Sequence, residues 1–326
     1  MSSYRQYKRA VEIVVGKEGK GLIFGHGDAN RRLRVVFEVT KTLASEPNEA
    51  IVKIYNLNEQ HYSALKNEYE DLLLNAGYEG NMQLLFRGNI RHVDRYRDGL
   101  DWITEIDCGD GDKDFRKAIM NTTLAAGTSD QQLVDKAIGS FSTTKKGYTK
   151  GVKSAKRTRG KVVSGNTRTV LNDIARQHGA TWSIQDGKLQ IVETDGVLDT
   201  EAIVLNWNTG LLEPPKQTEQ GIDVKCLLNP FMQINGRVKL DNAAIRAHKE
   251  KERDEHKKTA EGKKQKKVEK KEDKKETTNK TDPDGVYKIY KIKHSGDTHG
   301  TGGDWISEVS SVSMDSSYPK SDGAKK

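Results

Sequence analysis

The chain has 326 residues, of which 34% are hydrophobic, and a formal net charge of +8. A length of that order allows two or three domains that bury roughly 70 to 75% of the unfolded surface. Its two cysteines are too few for a disulfide framework, and MSSYRQYKRAVEIVV lacks the apolar core of a secretory signal, as the whole chain lacks the apolar run of a membrane span. Cys108 and Cys226 are read as buried thiols formed in a reducing cytoplasm.

From Arg9 to Cys108 the pattern is that of strands. Ala10–Val15, Leu33–Thr40, Ala50–Leu57, Met82–Val93 and Asp101–Cys108 are rich in Val, Ile and aromatics, with turn residues such as Gly16, Gly19, Pro47-Asn48 and Asp98-Gly99 between them. Such spacing predicts a closed or sandwiched antiparallel β-domain over residues 1–109. Asn58 is placed to cap one short helix, in which Tyr62, Leu65 and Tyr69 share a face.

Residues 110–200 read as a small α/β domain. Ser129 and Gln132 fit a capping box that opens a helix carrying Val134, Ile138 and Phe141. Thr167 is the expected cap of a second helix, with Val170, Leu171, Ile174, Ala175 and His178 facing inward and Gly179 ending it in the left-handed conformation. Asp186-Gly187 then joins two alternating runs, a strong hairpin signal.

Period-two alternation returns over residues 201–243, at Ile203 and Leu205, Val224 and Cys226, Val238 and Leu240, and again over 284–316. Pro214-Pro215, Asn229-Pro230 and Asn235-Gly236 cut the first piece into short strands. In the second piece, simple alternation puts Val286, Lys288, Tyr290, Ile292 and His294 on one face. Tyr287 and Ile289, beside Tyr290 and Ile292, are candidates for apolar surface left open for assembly. Between the pieces, residues 244–283 form a charged insert, expected to be disordered or a fluctuating helix. Arg246–Lys280 alone holds 15 basic and 9 acidic side chains, and so most of the net charge. Residues 317–326 read as a polar tail. The two flanking pieces are expected to pair as one antiparallel unit from which the insert is an excursion.

Signals for chemistry are weak. His294, Asp297, His299 and Asp304 carry metal-ligand types, but the glycines between them and the absence of a shared face favour a Gly-rich turn in which Asp297 bonds backbone amides. Gly109–Gly111 and Gly19–Gly27 lack the strand-to-helix order and the Lys-Ser/Thr ending of a phosphate loop. The carboxylates Glu68, Glu70, Asp71, Asp110, Asp112 and Asp114 form no recognisable acid and base pair, and His61, His92 and His178 read as surface or satisfied core imidazoles. No catalytic, cofactor-binding or metal residue is assigned, and no cofactor is expected. The basic run Lys145–Lys161 reads as a solvated loop, with phosphate contact as the weaker alternative.

Four ordered segments, Arg32–Glu59, Leu85–Val93 with Asp101–Asp112, Gly210–Pro230 and Val286–Val309, resemble the baseplate hub protein of contractile-tailed bacteriophages. The resemblance implies a mainly β fold with an α+β middle domain, built as two tail-tube-like antiparallel β-barrel domains plus the small α/β domain. It implies that Gly88, Asn206, Gly210, Pro215, Gly221, Asn229, Pro230, His294, Ser295, Gly296, Asp297 and Trp305 are structural signature positions. It implies a homotrimeric virion protein, not an enzyme, that joins the tail tube protein to the central spike protein and the baseplate wedge proteins and leaves a channel for genomic DNA. The long insert and the His299–Gly302 extension depart from the pattern. Rival readings are the spike or hub of a contractile secretion system, a basic nucleic-acid-binding protein using Lys145–Lys161 and the insert, and a cell-wall hydrolase of the baseplate, disfavoured by the missing carboxylate pair.

Overall fold

The computed structural model describes residue 6 and residues 8–17, 20–25, 33–153, 156–218, 221–240, 285–300 and 305–314. The charged insert, Asp304 and the polar tail lie outside the described residues. The fold is mainly β, with few helices and almost wholly antiparallel pairing.

The first lobe is built from β1 (Arg9–Lys17), β2 (Lys20–Phe24), β3 (Val35–Thr42), β4 (Glu49–Tyr55), α1 (Glu59–Asn67), β5 (Asp71–Tyr78), β6 (Asn81–Asp98) and β7 (Asp101–Gly109). Alternation does the work: Val35, Phe37 and Val39 of β3, and Val52 and Ile54 of β4, point into a core with Ile13, Leu72, Leu74 and Phe86. Asn58 Oδ1 accepts the His61 N–H at 2.7 Å and opens α1, whose Leu65 is fully buried while Tyr62 pads the same core.

The α/β unit follows, with α2 (Asp112–Lys117), β8 (Ile119–Leu124), α3 (Asp130–Gly139), β9 (Lys145–Lys146), β10 (Lys161–Asn166), α4 (Thr167–His178), β11 (Ala180–Gln185) and β12 (Lys188–Glu193). The Ser129–Gln132 capping box is formed on both sides. Gly179 ends α4 at φ 62°, its N–H turned back on the Ala175 and Arg176 carbonyls, where a side chain would be strained. Thr167 is not the cap but the first helical residue; Asn166 takes the cap position without a side-chain bond, and Thr167 is instead buried, its hydroxyl 2.8 Å from Ser140 Oγ. Asp186 and Gly187, at φ 54° and 74°, make the β11–β12 hairpin turn.

The second lobe comprises β13 (Ile203–Leu205), β14 (Lys216–Gln217), β15 (Gly221–Leu227), β16 (Arg237–Leu240), β17 (Val286–Asp297) and β18 (Trp305–Ser313). β16 and β17 pair antiparallel, Val238 opposite Tyr287, and Leu240 N–H donates to the Gly285 carbonyl at 2.8 Å. The chain therefore leaves at Leu240 and re-enters at Gly285 between hydrogen-bonded neighbours. Its core gathers Leu205, Ile222, Val224, Cys226, Val238, Leu240, Tyr287, Ile289, Ile292 and Val309.

The two lobes share one sheet. Its strands run β14-β15-β18-β17-β3-β4-β7-β6-β5-β1-β2, with β16 beside β17 and β13 parallel to β16. The path is open at β2 and β14, so among the described residues the pairing does not close into a barrel. Within it the order β3-β4-β7-β6-β5-β1 is repeated as β14-β15-β18-β17-β16-β13: two strands, a connection, a three-strand meander that closes on the second of them, and the lobe's first strand beside the meander's first. β17 joins the halves. Its start pairs with β16, and after a bulge between Ile289 and Lys291 its second half pairs with β3, from Lys291 opposite Thr42 to Asp297 opposite Val36.

Candidate assembly interface

That bulge overturns the simple alternation expected for Val286–His294. One extra residue reverses which side chains face inward, so Tyr287 and Ile289 before it and Ile292 and His294 after it are all buried. Tyr287, Ile289 and Ile292, at no more than 1% exposure, are core rather than open apolar surface.

Where β17 runs out beside β3, polar and aromatic groups lock the lobes together. Arg34 reaches Asp297 with two bonds, 3.2 and 2.7 Å, while stacking on Tyr55 at 4.5 Å. Asp297 Oδ1 also accepts the His299 N–H at 2.9 Å, the turn expected from the sequence. Arg9 donates to the Asp297 and Gly300 carbonyls at 2.8 and 2.9 Å and lies over Trp305. Burial raises the Asp297 carboxyl, but the Arg34 and His299 bonds outweigh it and hold the group below its ordinary value. Gly296 lies under the edge-to-face pair Phe37 and Trp305, whose centroids are 5.4 Å apart, and a Cβ there would run into both rings. His294 Nδ1 is 2.8 Å from Ser307 Oγ, which accepts the Asn229 N–H at 3.0 Å. Complete burial, with Lys41 near, lowers the His294 pKa to about 3, so the ring is a neutral structural partner.

Ser295, on β17 between His294 and Gly296, is half-buried and pairs with Ile306 and Glu38. Asn206 caps the short 3-10 turn Trp207–Thr209, and Gly210 follows at φ 103°. Pro215 is buried in the segment that leads into β15; Gly221 begins that strand where any side chain would strike the Ser311 carbonyl. Asn229 Oδ1 accepts the Phe231 N–H at 3.1 Å. Pro230 lines a groove of about 700 Å³ with Tyr78, Val204 and Phe231. Gly88 sits apart, in β6 against the Gly109 carbonyl and the Phe86 ring. Among the described residues, then, His294, Gly296, Asp297, Trp305 and Asn229 meet at one place, and Gly88 does not join them.

Sequence reasoning missed a second seam, between the first lobe and the α/β unit. Lys41, 4% exposed, donates to both Asp186 oxygens at 2.7 Å. Fully buried Asp110 accepts the Asp186 and Gly187 N–H groups at 2.5 and 2.8 Å. Asn48 accepts the Thr42 N–H and donates to the Ile184 carbonyl and to Gln185. Burial, then the Asp186 charge, pushes the Asp110 carboxyl up against the pull of those donors and Lys41. The traces in the sequence are Asp186-Gly187, which read as a hairpin turn, and Gly109–Gly111, which read only as a glycine-rich run without the features of a phosphate loop.

The basic run is partly neutralised within the chain. Lys146 bonds Asp135 at 2.6 Å, Arg157 bonds Asp130 at 2.6 Å, and Lys150 pairs with Asp199. His178 is satisfied by Asp130 at 2.9 Å, and no group of three or more His, Cys, Asp or Glu among the described residues could hold a metal. No helix among them is long and apolar enough to cross a membrane. Exposed apolar side chains collect instead, with Val204, Trp207, Leu212 and Phe231 on the second lobe and Tyr96, Leu100 and Trp102 at the β6–β7 turn.

This mainly antiparallel β chain, whose polar residues brace its strands, is similar in fold to phage tail proteins. The 43 kDa tail protein of prophage MuSo2 from Shewanella oneidensis is similar at a TM-score of 0.56 and 10% identity, over 94% of this chain and 99% of that one. A tail protein from Neisseria meningitidis MC58 is similar at 0.53 and 11%, over 96% and 100%. The E. coli c3393 protein, described as a component of the type VI secretion system with structural similarity to the T4 tail proteins gp27 and gp5, is similar at 0.53 and 10%, over 88% and 76%. A comparison with curated protein sequences gives no significant match. The chain belongs to the baseplate hub gp41 family, whose model matches residues 21–244. By that family it is a component of a virion tail.

Proposed function

We propose that three copies of this chain assemble around one axis as the baseplate hub, each contributing two tail-tube-like lobes, so that a trimer offers six similar units to a sixfold tail tube. The observation that carries this reading is the repeated strand order of the two lobes on one continuous sheet. A duplicated unit lets a threefold ring match a sixfold partner, and a closed ring needs heterologous contacts that do not run on into a filament. In this reading the lobes are residues 1–109 and residues 201–243 with 284–316, the α/β unit is residues 110–200, and 244–283 is an insert. The ring links the tail tube protein to the central spike protein and to the wedge proteins, and DNA passes along its axis after contraction. The role is mechanical: no turnover is expected.

Native mass spectrometry of the full chain at micromolar concentration tests it. A species of three times 36.5 kDa is expected, and a monomer at every concentration counts against it. A hub in a contractile secretion system is the second reading, favoured by the fold likeness to the E. coli c3393 protein; the family match favours the phage baseplate. For the nucleic-acid reading, deletion of Arg246–Lys280 should abolish a steeply salt-dependent duplex affinity; the ion pairs of Lys146, Lys150 and Arg157 count against that outcome.

A further inference from the structure

The α/β unit leaves one sheet face bare. β8 and β10 form a sheet of two strands, paired only with each other. Met120, Leu124 and Val163 point inward, onto the core that holds Leu133, Val134 and Leu171. Alternation along the strands then turns Ile119, Asn121, Thr123, Val162 and Ser164 outward. All five are exposed, Ile119 at 65% and Val162 at 73%, so neither apolar side chain is covered by the rest of the described chain.

Cations surround this face. From Lys136 to Asn172 the sequence holds ten Lys or Arg and no Asp or Glu. Lys146, Lys150 and Arg157 are paired with carboxylates from elsewhere in the chain. Arg159, Lys161 and Arg168, in and beside β10, and Lys117, just before β8, have no carboxylate partner among the described residues. Arg168 is moreover poorly placed for stability. It stands in the first turn of α4, which holds no acidic residue and where the positive end of the helix disfavours a cation; its one evident partner is the Phe115 ring, 5.1 Å below the guanidinium.

We propose that the outward face of β8 and β10 is the docking site for an acidic segment of another protein of the tail. An apolar centre with a polar rim is the anatomy of a protein contact, and a rim of one sign calls for a partner of the other. Nucleic acid fits less well, because the face itself carries neither a cation for phosphate nor an aromatic ring for base stacking. The proposal does not require three copies of the chain, and so it stands apart from the trimeric reading above.

The test uses assembled tails that carry the full-length chain with a photoreactive diazirine amino acid at Ile119 or, in a second set, at Val162; both positions are exposed, so the core is untouched. After irradiation, peptide mass spectrometry should find both positions joined to one stretch of a different protein, richer in Asp and Glu than in Lys and Arg. Arg159→Glu combined with Arg168→Glu should cut that product at least about tenfold, with no lower thermal midpoint for the purified protein. Adducts with DNA would assign the face to nucleic acid and overturn the proposal. Adducts with another copy of this chain or with a neutral or basic segment, no adduct at either position, or a yield indifferent to the charge reversal would overturn it as well.

Discussion

Gly296→Ala is the most direct probe of how the lobes are fastened. A Cβ at this position falls inside contact distance of the Phe37 ring and 2.8 Å from Trp305 Cζ3. Both rings are 2% exposed and packed edge to face, so neither can swing into solvent. Overpacking a dense core costs typically about 1–3 kcal/mol, and because the ring that must yield belongs to β3 at its pairing with β17, the upper end, about 3 kcal/mol, is expected. Urea unfolding followed by circular dichroism and tryptophan fluorescence should show a lower midpoint at unchanged slope. Phe37→Leu opens space beside Gly296, so the double variant Gly296→Ala with Phe37→Leu should lose less than the sum of the singles, with a coupling of at least about 1 kcal/mol. A Gly296→Ala protein within about 0.5 kcal/mol of the parent, or strictly additive singles, would refute the reasoning.

Lys41→Met should destabilise the protein by about 3 kcal/mol, because it removes the ammonium that bonds both Asp186 oxygens beside buried Asp110, and adding Asp186→Asn should recover most of the loss in the same urea assay. Asp114 accepts bonds from the amides and hydroxyls of Ser142 and Thr143 and from the Thr144 amide. Burial opposes them, yet they hold its carboxyl down to about 2. A depressed carboxylate stabilises the fold above its unfolded pKa and loses that effect as the pH falls through its folded one. Asp114→Asn should therefore cost about 2 kcal/mol at pH 7, and the gap to the parent should close between about pH 4 and pH 2; a gap constant with pH would contradict this. Burial pushes the Cys226 thiol up to about 12 and Cys108 higher still. Neither should react with a maleimide over hours in the native state, and both should react in denaturant; fast native labelling would show that these cores open.

Legibility in the sequence followed the physics of each element. The strands β1, β3, β4, β6 and β7, the caps Asn58 and Ser129, the Gly179 stop and the Asp186-Gly187 turn are all written in local residue types, and each forms. β5 is Leu-rich, without β-branched residues, and ends in Ala-Gly-Tyr, so its strand propensity is low and only its neighbours β1 and β6 make it a strand. β8 and β10, which pair with each other, are short and carry β-branched residues among polar ones. The inward face of β17 could not be read because one bulged residue reverses the alternation at Tyr290. The repeat between lobes is invisible as sequence, since β3 spans eight residues and its counterpart β14 two. The Lys41–Asp186–Asp110 seam joins single residues from distant stretches, which no window along the chain brings together. What resemblance added was the family, and with it the expectation of a signature at His294, Gly296, Asp297 and Trp305; the structure puts these four beside the pairing of β3 and β17.

Electron cryo-microscopy of the isolated tail tip measures the central claim most directly. The account predicts three copies of this chain around one axis, with their six lobes at a common radius facing the end of the tube. Any other copy number, or first and second lobes at different radii, would contradict it.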